Sequence, residues 1–177
     1  MSKATGYSLW IVPEIESEAY EFLDKLIFSA ATYYLTPVFK PHVTLLGGIE
    51  GKEQDMREKT RQLAEKLAPY EIQLSQVASN GTYFQILFSW IEQTPAVMNA
   101  NAISQQLFAV DKGKYLPHLS LVYGDLSKEQ VVALQQFVAR GKDLAGIRFL
   151  AKSIELWHSE GSVEEWKKVV AFPLGKS

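Results

Sequence analysis

The sequence predicts an α+β fold in which two similar lobes, each built from β-strands and helices, face one another. Short segments rich in aromatic and β-branched residues alternate with segments whose apolar residues recur at helical spacing. Each half of the chain also contains a Pro-His strand, at Pro41-His42 and at Pro117-His118, followed by a helix and further strands. This shared order indicates that the two lobes are pseudo-symmetric.

The first half of the chain is predicted to contain two strands and two helices. Pro13 ends the first strand, and Ser17 can cap the first helix because its hydroxyl accepts a bond from a free backbone amide. Pro69 ends the second helix, since proline lacks the N–H that would continue it. In order, the elements are a strand at 7–12, a helix at 18–32, a strand at 42–48 and a helix at 52–67.

The second half is predicted to contain five strands and two helices. Ser79-Asn80-Gly81 indicates a hairpin. Thr94 before Pro95 favours a helix start, and Ser127 with Gln130 forms a capping box. The predicted strands lie at 72–78, 82–91, 118–124, 147–157 and 166–172, the last two around a turn at Gly161, and the helices at 95–108 and 128–139.

Composition limits the classes of protein to which the chain can belong. It has 177 residues, 47% of them hydrophobic, and we predict one bilobal domain over residues 1–177. The absence of cysteine excludes a disulfide framework, a thiolate zinc site and a cysteine nucleophile. Because the sequence also lacks a cluster of residues at metal-ligand spacing, we expect neither a metal nor another cofactor.

The formal net charge of −2 argues against a broad surface for long nucleic acids. A small substrate in a local pocket fits this charge better. No apolar run approaches the roughly 20 residues that span a bilayer, and the N-terminal residues lack the pattern of a secretory signal. We therefore expect a cytoplasmic monomer that does not bind membranes.

Two five-residue motifs carry the functional signal. Both have the order proline, histidine, apolar residue, hydroxyl residue and leucine, in Pro41–Leu45 and in Pro117–Leu121. Residues i and i+2 of a strand share a face, so His42 lies on the same face as Thr44, and His118 on the same face as Ser120. Each strand therefore presents one imidazole and one hydroxyl.

This pair of motifs suits the opening of a cyclic phosphodiester. One histidine can accept a proton from the attacking water while the other protonates the leaving oxygen, and the hydroxyls can donate to the phosphate. A single histidine beside a hydroxyl is more often a structural residue. Two identical frames that use two of the three histidines favour catalysis, whereas His158 has neither frame and is expected to be structural or exposed.

Longer segments around the motifs resemble a known family. The motifs resemble those of the two-histidine phosphoesterase superfamily, and their surroundings are similar to the plant- and yeast-type cyclic phosphodiesterases. The resemblance extends from residue 7 to about residue 172. The segments that carry it are YSLW from Tyr7, PVFKPHVTLLGG from Pro37, GTYFQILF from Gly81, QTPAVMNA from Gln93 and KYLPHLSLVYGDL from Lys114.

The resemblance implies an antiparallel sheet with outer helices in each lobe and a cleft that holds one catalytic strand from each side. It implies metal-independent hydrolysis of ADP-ribose 1″,2″-cyclic phosphate, a by-product of tRNA splicing, and of nucleoside 2′,3′-cyclic phosphates to 2′-phosphates. It places His42, Thr44, His118 and Ser120 at catalytic positions. The cysteines of plant relatives are absent here, which excludes disulfide control of the loops. The long insertions of yeast-type relatives are absent as well.

Aromatic residues are the candidates for substrate binding. The resemblance places Trp10, Phe84 and Tyr123 around the pocket, and Tyr115 is a fourth candidate because aromatic faces can stack on a base. Tyr123 has the wrong strand parity relative to His118, so it must lie at a bulge or at the strand end to face the cleft. The remaining tryptophans, Trp90, Trp157 and Trp166, are expected to serve packing.

Two other functions use the same residues. The first is an RNA-end phosphodiesterase acting on 2′,3′-cyclic ends or 2′,5′-linked oligonucleotides, which would need a basic groove that the acidic balance disfavours. The second is a module that binds cyclic nucleotides without hydrolysing them, which has no need for two acid–base groups and two hydroxyls. A bell-shaped pH profile would separate catalysis from binding.

Overall fold

The computed structural model describes residues 3–140 and 143–175, so the predicted domain of 1–177 extends beyond the described residues. These residues form four α-helices and eight β-strands. The helices are α1 (Glu18–Tyr34), α2 (Glu53–Lys66), α3 (Pro95–Phe108) and α4 (Lys128–Arg140). The strands are β1 (Tyr7–Ile11), β2 (Val43–Ile49), β3 (Tyr70–Ala78), β4 (Leu87–Ile91), β5 (His118–Val122), β6 (Arg148–Ala151), β7 (Ser153–His158) and β8 (Lys167–Pro173).

The eight strands form one antiparallel sheet in the order β6-β3-β4-β5-β2-β1-β7-β8. The predicted bilobal antiparallel architecture is confirmed, with the two lobes as four-stranded halves of this sheet. The halves meet where β2 pairs with β5, at Val43 opposite Leu119. Because each histidine motif lies on one of these strands, this pairing brings the two motifs together.

The helices reproduce the pseudo-symmetry of the halves. The unit β1-α1-β2 in one half corresponds to β4-α3-β5 in the other. Helix α1 packs against β5, and α3 packs against β2, so each helix crosses to the strand of the opposite half. None of the helices in the described ranges is long and apolar enough to cross a lipid bilayer.

The predicted helix caps are confirmed. The Ser17 hydroxyl accepts from the Tyr20 amide at 3.2 Å, and the Thr94 hydroxyl accepts from the Val97 amide at 3.3 Å. Ser127 and Gln130 bond reciprocally, as a capping box requires. These polar side chains satisfy amides that have no partner within the helix, which explains why the three helices begin where they do.

Strand alternation decides which side chains reach the site. Where β1, β2 and β5 border the site, at residues 8–11, 43–45 and 118–121, the odd-numbered residues enter the core, and the buried leucines Leu9, Leu45 and Leu119 are 0–1% exposed. The even-numbered residues of these stretches therefore face the other side of the sheet. Trp10, Thr44 and Ser120 are on that face, in line with the predicted division of each motif.

Two predicted strands are wrong in extent. Within the predicted strand 82–91, Tyr83–Gln85 forms a 3₁₀ turn, and β4 begins only at Leu87. The predicted strand 147–157 is divided at Lys152 into β6, which pairs with β3, and β7, which pairs with β1. Both pieces are rich in β-forming residues, so local propensity cannot show that they join opposite halves of the sheet.

Candidate active site

A cleft of about 140 Å³ lies where the two halves of the sheet meet. It is lined by His42 and Thr44 from the first motif and by His118 and Ser120 from the second. The structure thus brings together the four residues that the motifs singled out. Four aromatic residues complete most of the wall, namely Trp10, Phe84, Tyr123 and Trp166.

His42 lies directly before β2 and is buried, with 3% of its surface exposed. Its Nδ1 donates to the carbonyl oxygen of Lys40 at 2.7 Å. Because a carbonyl can only accept, this bond requires the proton on Nδ1 and leaves Nε2 with a lone pair. Nε2 is 3.4 Å from the hydroxyl of Tyr123, which is therefore oriented to donate to it.

His118 repeats this arrangement from the other half. Its Nδ1 donates to the carbonyl oxygen of Leu116 at 2.9 Å, again two residues earlier. The intervening Pro117 restricts the preceding residue to extended backbone and fixes its own φ, as Pro41 does in the first motif. The proline in each frame therefore helps to place the carbonyl that sets the tautomer, and Nε2 of both histidines keeps a lone pair that can accept a proton.

Burial lowers the pKa of both imidazoles. The pKa of His42 falls to about 4, mainly because burial disfavours the charged form, against the opposing effect of the bond to Lys40 and with a further decrease from His118. The pKa of His118 is also lowered, again mainly by burial. At neutral pH both rings are therefore neutral in the free protein, and protonating one disfavours protonating the other.

The two hydroxyls differ in their bonding. The Ser120 hydroxyl donates to the carbonyl oxygen of Phe84 at 3.1 Å. The Thr44 hydroxyl lines the cleft and has no hydrogen-bond partner among the described residues. Thr44 is instead held through its backbone, because its carbonyl accepts from the Tyr115 hydroxyl at 2.9 Å. Both residues can present a donor to a phosphate oxygen, but only Ser120 must exchange an existing bond to do so.

Three of the four predicted aromatic candidates line the cleft. Trp10 and Phe84 lie in its wall, and Tyr123 follows the last residue of β5, so the end of the strand resolves its parity. Tyr115 differs from the expectation. Its side chain is turned toward β2, where the hydroxyl donates to the Thr44 carbonyl oxygen, and it lies outside the cleft wall. Its position suits support of the strand rather than contact with substrate.

The cleft also contains residues that the sequence analysis did not single out. Trp166 was expected to serve packing, but its ring lines the cleft near Phe84, with ring centroids 5.9 Å apart. It follows the short turn Val163–Glu165, and nothing in its local sequence indicates a binding role. Ser8 and Ser159 share a 2.8 Å hydrogen bond in the same wall. Ser8 could have been found, since it is two residues from Trp10 on β1.

The remaining candidates have structural positions, as the sequence analysis expected. Trp157 stacks on Trp10 with ring centroids 4.2 Å apart, and Trp90 lies at the edge of Phe88. His158 contacts Tyr7 and lies 3.4 Å from Glu160, outside the cleft wall. In the part of the chain that the structure describes, no three His, Cys, Asp or Glu side chains are grouped so that they could hold a metal ion.

A family model described as "cyclic phosphodiesterase-like protein" matches residues 5–174. The chain is 26% identical to a cyclic phosphodiesterase of Arabidopsis thaliana over 97% of each chain. It is 24% identical to a 2′,3′-cyclic-nucleotide 3′-phosphodiesterase of Yarrowia lipolytica, covering 92% of this chain and 96% of that protein. The similarity thus extends over nearly the whole chain and includes both motifs.

Solved structures share the fold at low sequence identity. E. coli LigT complexed with 3′-AMP has a TM-score of 0.62 and 14% identity, and the match covers 99% of this chain and 100% of LigT. The protein TT0787 of Thermus thermophilus has a TM-score of 0.57 and 15% identity, with the same coverage of both chains. These similarities show that the chain has the LigT-like fold.

Proposed function

The chain belongs to the cyclic phosphodiesterase-like protein family, and we propose that it hydrolyses small cyclic phosphodiesters by general acid–base catalysis with His42 and His118. The observation that carries this proposal is the matched geometry of the two histidines. Each uses Nδ1 to bind a backbone carbonyl two residues earlier, each keeps Nε2 unprotonated, and both residues line the same cleft. Two proton-transfer groups in one site are what this reaction needs.

The chemistry divides between the two imidazoles. A neutral Nε2 accepts a proton from water as the water oxygen attacks phosphorus. A protonated Nε2 on the other histidine gives its proton to the ribose oxygen as the P–O bond breaks. One proton is taken up and one is released, and exchange with solvent then returns each histidine to its starting state. The free protein disfavours an imidazolium in the cleft, but the anionic phosphate between the rings stabilises one. Substrate binding therefore raises the pKa of the histidine that acts as the acid.

The hydroxyls and the buried Tyr123 hold the phosphate during this exchange. Thr44 and Ser120 can donate to the non-bridging oxygens, where negative charge increases in the transition state. Burial raises the pKa of the Tyr123 phenol, so the hydroxyl stays protonated and remains a donor at neutral pH. Trp10, Phe84 and Trp166 provide apolar faces on which the sugar or base can pack.

We assign as substrates ADP-ribose 1″,2″-cyclic phosphate and nucleoside 2′,3′-cyclic phosphates, the latter opened to 2′-phosphates. The cleft is small, and the chain carries a formal net charge of −2, which favours small molecules over long nucleic acids. The names of the two curated relatives support this class of reaction. The proposal includes a role in the turnover of the cyclic phosphate by-product of tRNA splicing.

The test compares three substrates in EDTA: ADP-ribose 1″,2″-cyclic phosphate, a nucleoside 2′,3′-cyclic phosphate and an oligoribonucleotide with a 2′,3′-cyclic end. We expect turnover of the small substrates, reduced in His42→Ala and His118→Ala by at least about 10²-fold each. His158→Ala is the matched control, because His158 lies outside the cleft wall, and it should retain wild-type rates.

The other outcomes are equally informative. Preference for the oligoribonucleotide would assign the chain to RNA-end processing. Binding of the small substrates without turnover would show that the cleft only recognises them. Loss of activity in EDTA with recovery on addition of a divalent ion would contradict a metal-independent mechanism.

A further inference from the structure

The connection between β3 and β4 places the side-chain amide of Gln85 beside His118, and Asn80 of the same connection bonds to Gln85. Gln85 ends the 3₁₀ turn Tyr83–Gln85. The Nδ2 of Asn80 donates to the Oε1 of Gln85 at 3.0 Å, and the Asn80 backbone amide donates to the Gln85 carbonyl at 3.0 Å. These two bonds close the connection on itself and hold the Gln85 side chain in place.

The bonds define which end of the Gln85 amide faces the histidine. Oε1 is occupied by the Asn80 donor, so the NH₂ group is directed to His118, with Nε2 of Gln85 3.4 Å from Nε2 of the ring. The ring in turn donates from Nδ1 to the Leu116 carbonyl. Asn80, Gln85, His118 and Leu116 thus form a chain in which every bond donates in the same direction.

The opposite amide orientation is disfavoured at both ends. It would place the Gln85 oxygen against the lone pair of the ring nitrogen and two NH₂ groups against each other. The direction of the whole chain is therefore set at the Leu116 carbonyl, which can only accept and so fixes the tautomer of His118.

We propose that Gln85, bonded to Asn80, is a positioning residue that adds to burial in keeping Nε2 of His118 unprotonated in the free protein and that fixes the plane of the ring. A donor-only contact stabilises the neutral imidazole, since a protonated Nε2 would point its hydrogen at the NH₂ group. The protonation state of His118 in the free protein does not depend on the proposed function, whereas its effect on catalysis does.

Burial also favours the neutral ring of His118, but the packed neighbours offer no polar group to Nε2. Phe88 and Trp90 of β4 contact the ring with their edges, and neither titrates. The titratable group that interacts with it in the cleft is His42, which is neutral at pH 7. His118 forms no ion pair with any residue of the described ranges, so the amide of Gln85 is the polar group that meets its reactive nitrogen.

The direct test replaces the donor by an acceptor. In Gln85→Glu, a carboxylate faces Nε2 and stabilises the imidazolium, so the pKa of His118 should rise by about one unit or more. The measurement is a pH titration of the imidazole nitrogens by NMR in the free protein, with signals assigned from His42→Gln and His158→Gln. Gln136→Glu is the matched control, because it adds the same charge on the exposed side of α4.

Asn80→Ala provides a second variant that introduces no charge. It releases Oε1 of Gln85, so the amide can turn its oxygen toward the ring, and the pKa of His118 should rise by a smaller amount. The proposal is overturned if folded Gln85→Glu shifts the His118 pKa no more than Gln136→Glu does. If Gln85→Glu does not fold, an unchanged His118 pKa in Asn80→Ala overturns it instead.

The kinetic arm connects this state to catalysis. In Gln85→Glu, one limb of the pH profile of kcat/KM should move with the pKa of His118. The acidic limb moves if His118 is the base, and the basic limb moves if it is the acid. A merely structural role would lower the profile without moving a limb. Because the NMR titration needs no substrate, it remains decisive even if no cyclic phosphate is hydrolysed.

Discussion

The imidazole of His42 stacks on the indole of Trp10, with ring centroids 3.6 Å apart and planes inclined by 10°. Trp157 in turn stacks on Trp10, with ring centroids 4.2 Å apart and planes inclined by 21°. A buried aromatic column thus carries His42 at its cleft end. The column excludes water from one face of the ring and contributes to the burial that lowers the His42 pKa.

Removing the indole should therefore affect both stability and the titration of His42. Trp10→Ala is expected to lower the free energy of unfolding by about 3–5 kcal/mol, as large-to-small substitutions of buried aromatics do. It should also raise the pKa of His42 toward its ordinary value, because water reaches the ring. Trp10→Phe keeps an aromatic face and should show smaller changes in both. Urea unfolding and NMR titration measure them, and an unchanged His42 pKa in a folded Trp10→Ala would refute this account.

The low pKa of His42 should make the protein sensitive to acid. The unfolded chain binds a proton at His42 near pH 6.5 and the folded chain only near pH 4, so this group's contribution is complete above pH 6.5 and is lost as the pH falls toward 4. The full loss is about 3–4 kcal/mol, at about 1.4 kcal/mol for each pKa unit.

The variant His42→Gln isolates this contribution from that of the carboxylates, which titrate in both proteins. Urea unfolding at pH 7 and pH 4.5 should show a smaller acid-induced loss in His42→Gln than in the wild type. Equal losses in the two proteins would show that His42 is not held neutral by folding.

Substrate binding should shift the pH optimum of the reaction. Both histidines have a lowered pKa in the free protein, so the form with one imidazolium is scarce at pH 7. Bound phosphate stabilises that form. The profile of kcat/KM, which reports the free protein, should therefore have its optimum at a lower pH than the profile of kcat. Initial rates over pH 4–9 test this, and coincident optima would argue against phosphate-induced protonation.

The two cleft hydroxyls should separate activity from stability. Thr44→Val removes a hydroxyl with no partner among the described residues, so activity should fall by about 10²-fold while stability changes little. Ser120→Ala also removes the bond to the Phe84 carbonyl and should cost about 1 kcal/mol of unfolding free energy in addition. Thr44→Ser retains the hydroxyl and is the control. Full activity in Thr44→Val would exclude Thr44 as a phosphate donor.

The repeated motif made much of the site predictable. Strand alternation is a local property with a period of two, so His42 with Thr44 and His118 with Ser120 could be placed on common faces before any contact was known. The same alternation predicted that Tyr123 needed a strand end to reach the cleft, and it lies directly after the end of β5. The helix caps are also local, because a side chain bonds an amide three residues away.

Contacts between distant segments could not be predicted in this way. Gln85 approaches His118 through a 3₁₀ turn inside a segment that resembles a strand, and Trp166 reaches the cleft from the far edge of the sheet. The division of 147–157 at Lys152 depends on which edges remain free to pair. The sequence by itself determined the two histidine frames, since their pattern is encoded within five residues each. Only the tertiary structure decided the tautomers, burial and neighbours of the histidines, because these depend on packing between residues far apart in the chain.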